Sequence, residues 1–175
     1  MFEIEKKYLI KEGLEQFTSP NFSSYFNSLN ELVEYIDNNG EDIIQGYFSV
    51  NNGIELVKKL ELNLDFVPSE ARVRQKGNKY FFTMKSDGLQ KRNELETTIS
   101  QDLFENIYSL TETRVEKKRL KVNIDGLIYE FDKYLDRDLI VVEIEVNNEK
   151  DLEKIIVLGK DITEEIGFKN KNLAK

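Results

Sequence analysis

The chain contains no cysteine and no histidine. Without cysteine there is no disulfide, no thiolate zinc site and no cysteine nucleophile. Without histidine the usual general base, the serine–histidine devices and imidazole metal ligands are all excluded. Chemistry here must run on carboxylates, lysines, arginines, hydroxyls and a bound metal. No apolar run approaches the length of a bilayer span. The start shows no basic region followed by an apolar core, so no signal peptide, no membrane partner and a cytoplasmic location are expected. No stretch rich in proline, glycine or serine marks a linker, and no long repeat is visible. The 175 residues therefore read as one domain, 1–175, long enough to bury a real core.

Charge is abundant instead. Charged residues make up 33% of the chain, 25 basic against 33 acidic, for a net charge of -8. That balance disfavours non-specific binding to nucleic acid or anionic membrane.

The charges follow a strand's period of two. In residues 2–10, Glu3, Glu5 and Lys7 share one face, while Phe2, Ile4, Tyr8 and Ile10 take the other with Lys6 among them. A helix is expected from Ser19-Pro20 through Ile36, ending at Asn38-Asn39-Gly40. Strands are expected over 43–50 and 60–66, joined by a turn at Asn51-Asn52-Gly53. Residues 70–76 and 79–85 form a hairpin about Gly77-Asn78, with Arg72, Arg74 and Lys76 on one face and Phe81, Thr83 and Lys85 sharing a face on the return. Further strands cover 91–99, 115–124, 127–135 and 139–146. They align Arg92 with Glu94 and Glu96, Lys117 with Arg119, Glu130 with Asp132, and Glu143 with Glu145. Helices are expected around 102–110, capped by Ser100, and 149–158.

Two architectures fit. One is an open antiparallel sheet with a solvated face and charges paired across strands. The other is a closed barrel with these faces inward and the apolar faces outward under three amphipathic helices. The barrel is favoured by two details. Acids concentrate on the first and last strands and arginines on the middle hairpin, and the opposite faces are apolar enough to need covering. A charged barrel interior suits a polyphosphate, which needs forked arginine donors and divalent cations with oxygen ligands. Phosphoryl transfer then needs positioning and charge stabilisation, not histidine.

Glu3-Ile4-Glu5-Lys6-Lys7 matches the E-x-E-x-K signature of the CYTH superfamily, the triphosphate tunnel metalloenzymes. Gln45-Gly46-Tyr47, Arg72-Val73-Arg74, Phe82-Thr83-Met84-Lys85-Ser86, Arg92-Asn93-Glu94-Leu95-Glu96, Val115-Glu116-Lys117-Lys118-Arg119, Glu130-Phe131-Asp132, Glu143-Ile144-Glu145 and the tail 168–174 continue the match in order. The chain most resembles the short bacterial inorganic triphosphatases. The resemblance implies a closed eight-stranded antiparallel barrel, an α+β fold with a few helices packed outside, that hydrolyses tripolyphosphate with Mg²⁺ or Mn²⁺. It places Glu3, Glu5, Asp132, Glu143 and Glu145 on the metal, with Glu94 and Glu96 toward a second ion. It places Lys7, Arg72, Arg74, Lys85, Arg92, Lys117, Arg119 and the tail Lys171 on the substrate, with Glu5, Lys7, Arg74 and Lys85 carrying the chemistry. Thiamine or nucleoside triphosphate hydrolysis, cyclisation of ATP to cyclic AMP, and binding without turnover are the alternatives. A homodimer is the expected assembly. The resemblance implies shorter segments than this chain has at 13–42 and 51–67.

Overall fold

The computed structural model describes residues 2–175, without the side chain of Phe2, so its expected place on the apolar face lies outside the described residues. The long strands are β1 (Phe2–Glu12), β3 (Glu41–Phe48), β4 (Pro68–Lys76), β5 (Lys79–Ser86), β6 (Lys91–Thr98), β7 (Thr113–Ile124), β8 (Leu127–Tyr134) and β9 (Leu139–Val146). Two short strands, β2 (Glu15–Gln16) and β10 (Lys160–Asp161), pair with β1. The hydrogen-bonded order β10-β1-β6-β5-β4-β3-β7-β8-β9, with β9 pairing again to β1, defines the closed eight-stranded antiparallel barrel that the charge pattern favoured. Helices are α1 (Leu29–Asn39), α2 (Val50–Lys59), α3 (Gln101–Tyr108) and α4 (Asn170–Leu173). Contacts divide the chain into two compact units.

One unit comprises Ile43–Val115 and Ile166–Lys175. Its strands run in the order β6-β5-β4-β3. Ala71, Val73, Phe82 and Met84 alternate out of β4 and β5 into an apolar cluster with Leu56 and Val57 of α2 and Phe104 of α3. Alternation forces the intervening residues, Arg72, Arg74, Thr83 and Lys85, to the other face. The tail is tied back by paired backbone hydrogen bonds between Arg114 and Lys175.

The other unit comprises Glu3–Asp42 and Glu116–Glu165. Here β1 pairs with β9, β9 with β8 and β8 with β7. Ile4, Tyr8, Phe131, Val142 and Ile144 bury one sheet face against Phe22, Phe26, Leu32 and Ile36. Lys7, Arg119, Asp132 and Glu143 therefore take the other.

Four sequence expectations are corrected. The first helix begins at Ser28, not Ser19: Ser28 Oγ accepts from Glu31 N at 3.1 Å, and Asn27 N donates to the Glu31 carboxylate at 2.6 Å. Ser19 instead donates through its hydroxyl to Val157 O, and Phe22–Ser24 makes only a 3₁₀ turn. Residues 50–59 are helix rather than strand end and turn. Ser49 Oγ accepts from Asn52 N at 3.2 Å, and Val50, Gly53, Ile54 and Val57 fall at helical spacing on one face. Residues 60–66 consequently leave that helix as irregular chain; Leu60, Leu62, Leu64 and Phe66 still pack on the apolar cluster without pairing as a strand. The last expected helix is a 3₁₀ segment, Glu149–Lys154, capped by Asn148.

Candidate active site

In the first unit the register builds a two-dimensional grid. Tyr47 lies opposite Arg72, Arg72 opposite Thr83, and Thr83 opposite Glu96. One rung away, Gln45 faces Arg74 and Arg74 faces Phe81; on the other side Glu70 faces Lys85 and Lys85 faces Glu94. Arg74 Nη2 reaches Glu96 Oε2 at 2.8 Å, with Arg72 Nη2 at 3.8 Å from the same oxygen. Thr83 Oγ1 donates to that oxygen at 2.9 Å, and Lys85 Nζ lies 2.6 Å from Glu94 Oε2. The Arg74 guanidinium sits 5.9 Å from the centre of the Phe81 ring. Gln45 Nε2 donates to Tyr47 Oη at 2.7 Å. A cavity of about 460 Å³ is lined by Phe81 and by Glu94 through Thr98.

Charge balance explains the electrostatics of this grid. Burial alone would raise the Glu96 pKa, but Arg74 and Arg72 outweigh it and hold the carboxyl below its usual value. Burial alone would lower the Arg72 pKa, but Tyr47 and the carboxylates of Glu70, Glu94 and Glu96 push it up, so the guanidinium stays charged. Burial pushes the Tyr47 phenol well up, keeping it protonated.

The second unit carries a denser cluster. Arg119 is its hub: Nε and Nη2 fork onto Asp132 at 2.6 and 2.7 Å, Nη2 also reaches Glu143 at 3.0 Å, and Nη1 contacts Glu130. Lys117 Nζ donates to Asp132 Oδ2 at 2.5 Å, and both side chains are fully buried. Lys7 Nζ lies 2.6 Å from Glu143 Oε1. Burial would raise the Glu143 pKa, but Lys7, Lys117 and Arg119 hold it well below the carboxylate range. Asp132 is lowered the same way, with Arg119 the strongest opponent of burial. Burial would lower Lys7, but Glu143 and Glu5 raise it above its ordinary value. Lys117 goes the other way. Burial, reinforced by Arg119, pushes it down to about 8 despite Asp132.

Register also places like charges together. Glu5 stands directly opposite Glu145, and Glu130 directly opposite Glu143. Opposed carboxylates destabilise a sheet unless a cation lies between them. Arg119 serves Glu130 and Glu143. For Glu5 and Glu145 the oxygen-only donor set fits a hard divalent ion, which takes one or two carboxylates and completes its shell with water and substrate oxygens. Among the described residues, no group of three or more acidic side chains forms a metal cage by itself.

The structure thus groups Arg72, Arg74, Lys85, Glu94 and Glu96 in one cluster, and Lys7, Lys117, Arg119, Asp132 and Glu143 in the other, with Glu5 and Glu145 one rung along the same β1–β9 pair from Lys7 and Glu143. Glu3 lies two residues before Glu5 on β1, and Arg92 two before Glu94 on β6. Lys171 is exposed on α4 and donates to Ser69 O at 3.0 Å. Sequence reasoning left Gln45, Tyr47 and Glu70 out of the site. The missing signal was phase: Glu70 is two residues before Arg72, and Gln45 is two before Tyr47.

An antiparallel barrel with charged sheet faces is the class these observations define. A curated inorganic triphosphatase from Nitrosomonas europaea is 38% identical over 112 residues, covering 60% of this chain and 74% of that protein. A solved inorganic triphosphatase structure superposes with a TM-score of 0.55 at 27% identity, over 98% of this chain and 93% of that one. A putative adenylate cyclase from Bacillus halodurans shares the fold, at 16% identity and a TM-score of 0.53 over 87% of this chain and 84% of that one. No family model matches the chain. The chain belongs to the inorganic triphosphatase family of the CYTH superfamily.

Proposed function

We propose that the chain hydrolyses inorganic triphosphate with Mg²⁺ or Mn²⁺. The observation that carries this reading is the cationic row of Arg72, Arg74 and Lys85 on adjacent strands β4 and β5, each beside a carboxylate that substrate oxygens can displace. Arg72 and Arg74, two apart on one strand, offer forked donors to successive phosphates, and Lys85 offers a point charge. Lys7, Arg92, Lys117, Arg119 and Lys171 join the substrate set, and Glu3, Asp132, Glu94 and Glu96 the metal set, through the resemblance. Glu5, Glu143 and Glu145 would hold the divalent ion, which supplies positive charge against the phosphate oxygens. In the reaction, water attacks a terminal phosphorus and diphosphate leaves with the bridging oxygen. Arg74 and Lys85 stabilise the charge that shifts onto the leaving oxygens. Glu5 and Lys7 keep the acid–base pattern beside the ion.

Nothing in the grid favours ATP cyclisation or thiamine triphosphate over tripolyphosphate. Among the described residues no helix is long and apolar enough to cross a membrane. The test is phosphate release from tripolyphosphate, pyrophosphate, ATP and thiamine triphosphate, with cyclic AMP detection, in Mg²⁺, Mn²⁺ or EDTA. Cleavage of tripolyphosphate far above pyrophosphate, abolished by EDTA, is expected; full turnover in metal-free chelator would sink the metal role. Light scattering tests the homodimer.

A further inference from the structure

Three donors converge on a single oxygen of Glu96. Arg74 Nη2 lies 2.8 Å from Oε2, Thr83 Oγ1 donates to it at 2.9 Å, and Arg72 Nη2 stands 3.8 Å away. Register produces this convergence, because Thr83 is directly opposite Arg72 on β4 and directly opposite Glu96 on β6. Thr83 is buried, whereas Glu96 lines the cavity of about 460 Å³ together with Glu94.

Depth separates the two signs of charge. The side chains of Arg72, Arg74 and Lys85 are 6%, 15% and 3% exposed, against 28% for Glu96 and 23% for Glu94. An anion entering the cavity therefore meets the carboxylates first. It reaches the guanidinium groups by taking the place of Glu96 Oε2. Carboxylate and phosphate oxygens call on the same forked donors, and like charges repel at one site, so the two exclude each other.

We infer that Glu96 is a built-in competitor for the arginines, held in place by Thr83, and that this pair limits how tightly the site retains polyphosphate substrate and diphosphate product. The inference rests on the triphosphatase reading above. Thr83 is a positioning residue: it touches Glu96 and acts on phosphate only through it. Its hydroxyl favours the carboxylate orientation in which Oε2 also meets Arg74. Whenever a phosphate leaves, Glu96 is at hand on the same sheet face to recapture Arg74. Weakening this hold should tighten the binding of polyphosphate.

The test uses the whole chain with three substitutions. Thr83→Val keeps the shape of the side chain and removes its donor, Thr83→Ser keeps the donor, and Glu96→Gln removes the competing charge. Circular dichroism and thermal unfolding identify the folded variants. Calorimetry in EDTA reads the binding of tripolyphosphate and diphosphate apart from turnover, and steady-state kinetics at saturating Mg²⁺ read KM and inhibition by diphosphate. Thr83→Val is expected to lower Kd for both anions by the same factor, about tenfold, since a hydrogen bond to a charged group contributes about that much. KM and the inhibition constant should follow, Glu96→Gln should lower both further, and Thr83→Ser should stay at wild-type values.

A folded Thr83→Val with unchanged or weaker binding overturns the inference; weaker binding would mean that Glu96 arranges the arginines instead of competing for them. Should Thr83→Val not fold, Glu96→Gln decides, and unchanged or weaker binding by it has the same consequence. A raised Mg²⁺ requirement in Glu96→Gln, with unchanged Kd in EDTA, assigns Glu96 to the ion and also overturns it. A wild type that binds tripolyphosphate without cleaving it overturns the proposed function and leaves the competitor to be judged by calorimetry. An active wild type whose variants bind as it does overturns the competitor alone.

Discussion

The two charged clusters differ in how completely they satisfy themselves. Around Arg119 the second unit forks a guanidinium onto Asp132, adds Lys117 to the same carboxylate, and closes the set with Glu143 and Lys7. The first unit holds its charges more loosely: Arg74 and Lys85 meet carboxylates that are 28% and 23% exposed, and Gln45 and Arg72 each leave a buried polar atom unmatched within the protein. A satisfied cluster is a scaffold whose parts fail together, because removing one partner strands a buried charge. A loosely held one keeps bonding capacity for a ligand. The contrast separates a first unit that keeps bonding capacity from a second that neutralises most of its charge internally, with the opposed carboxylates Glu5 and Glu145 on its strands.

The largest expected effect tests the grip. Arg74→Ala should lower kcat/KM on tripolyphosphate by about 10²-fold or more, through both KM and kcat, because the oxygens it holds gain charge in the transition state. Its partly exposed pair with Glu96 contributes less than about 1 kcal/mol to the fold, so the melting temperature should barely move. Arg74→Lys should restore little, since the fork is lost. An Arg74→Ala protein with full activity would place that residue off the substrate face. Glu5→Gln should also cut turnover by orders of magnitude in a folded protein, because an amide is a poorer ligand for a hard cation. Unchanged kinetics would remove Glu5 from the metal.

Asp132→Asn should act the opposite way. It strands the fully buried Lys117 and Arg119 with too little negative charge, a loss of about 3–5 kcal/mol, and should lower Tm by roughly 10 °C. If Asp132→Asn melts like the wild type while Arg74→Ala unfolds, the comparison is reversed.

A smaller effect lies in acid. Glu143 ionises in the folded chain well below its value near 4.3 in the unfolded chain. The unfolded state therefore binds more protons between the two values, and the stability Glu143 contributes is full above about pH 5 and lost as pH falls through its folded pKa. Urea unfolding in EDTA at pH 6 and pH 3 should show a smaller difference for Glu143→Gln than for the wild type. An equal difference would detach Glu143 from the cluster's acid sensitivity.

The strand faces were legible in the sequence because a period of two survives wherever one face is buried. Arg72 and Arg74 alternate with Ala71 and Val73, and Glu143 and Glu145 with Val142, Ile144 and Val146, and the structure keeps each phase. What periodicity does not carry is which side chains meet across strands. Phase puts Gln45 with Tyr47 and Glu70 with Arg72, but that Gln45 meets Arg74 and Glu70 meets Lys85 is a non-local fact of pairing between β3 and β4 and between β4 and β5. The helix over 50–59 was hidden for a different reason. Asn51-Asn52-Gly53 is turn chemistry by local preference, yet Ser49 caps a helix there and tertiary packing overrides the propensity.

That packing has a further use. A Cβ on Gly53 would stand 2.6 Å from Met84 Sδ and 2.8 Å from Ala71 Cβ. Glycine lets α2 lie directly on the backs of β4 and β5, whose next residues on either side are Arg72, Thr83 and Lys85. A glycine inside a helix costs about 1 kcal/mol relative to alanine, and here that cost sets the thickness of a wall. Replacing Gly53 by alanine or serine would wedge the helix outward and bend the sheet behind the arginines without altering any charged side chain. The spacing of Arg72, Thr83 and Lys85 is then set from behind the sheet, by a residue that carries no charge and no side chain.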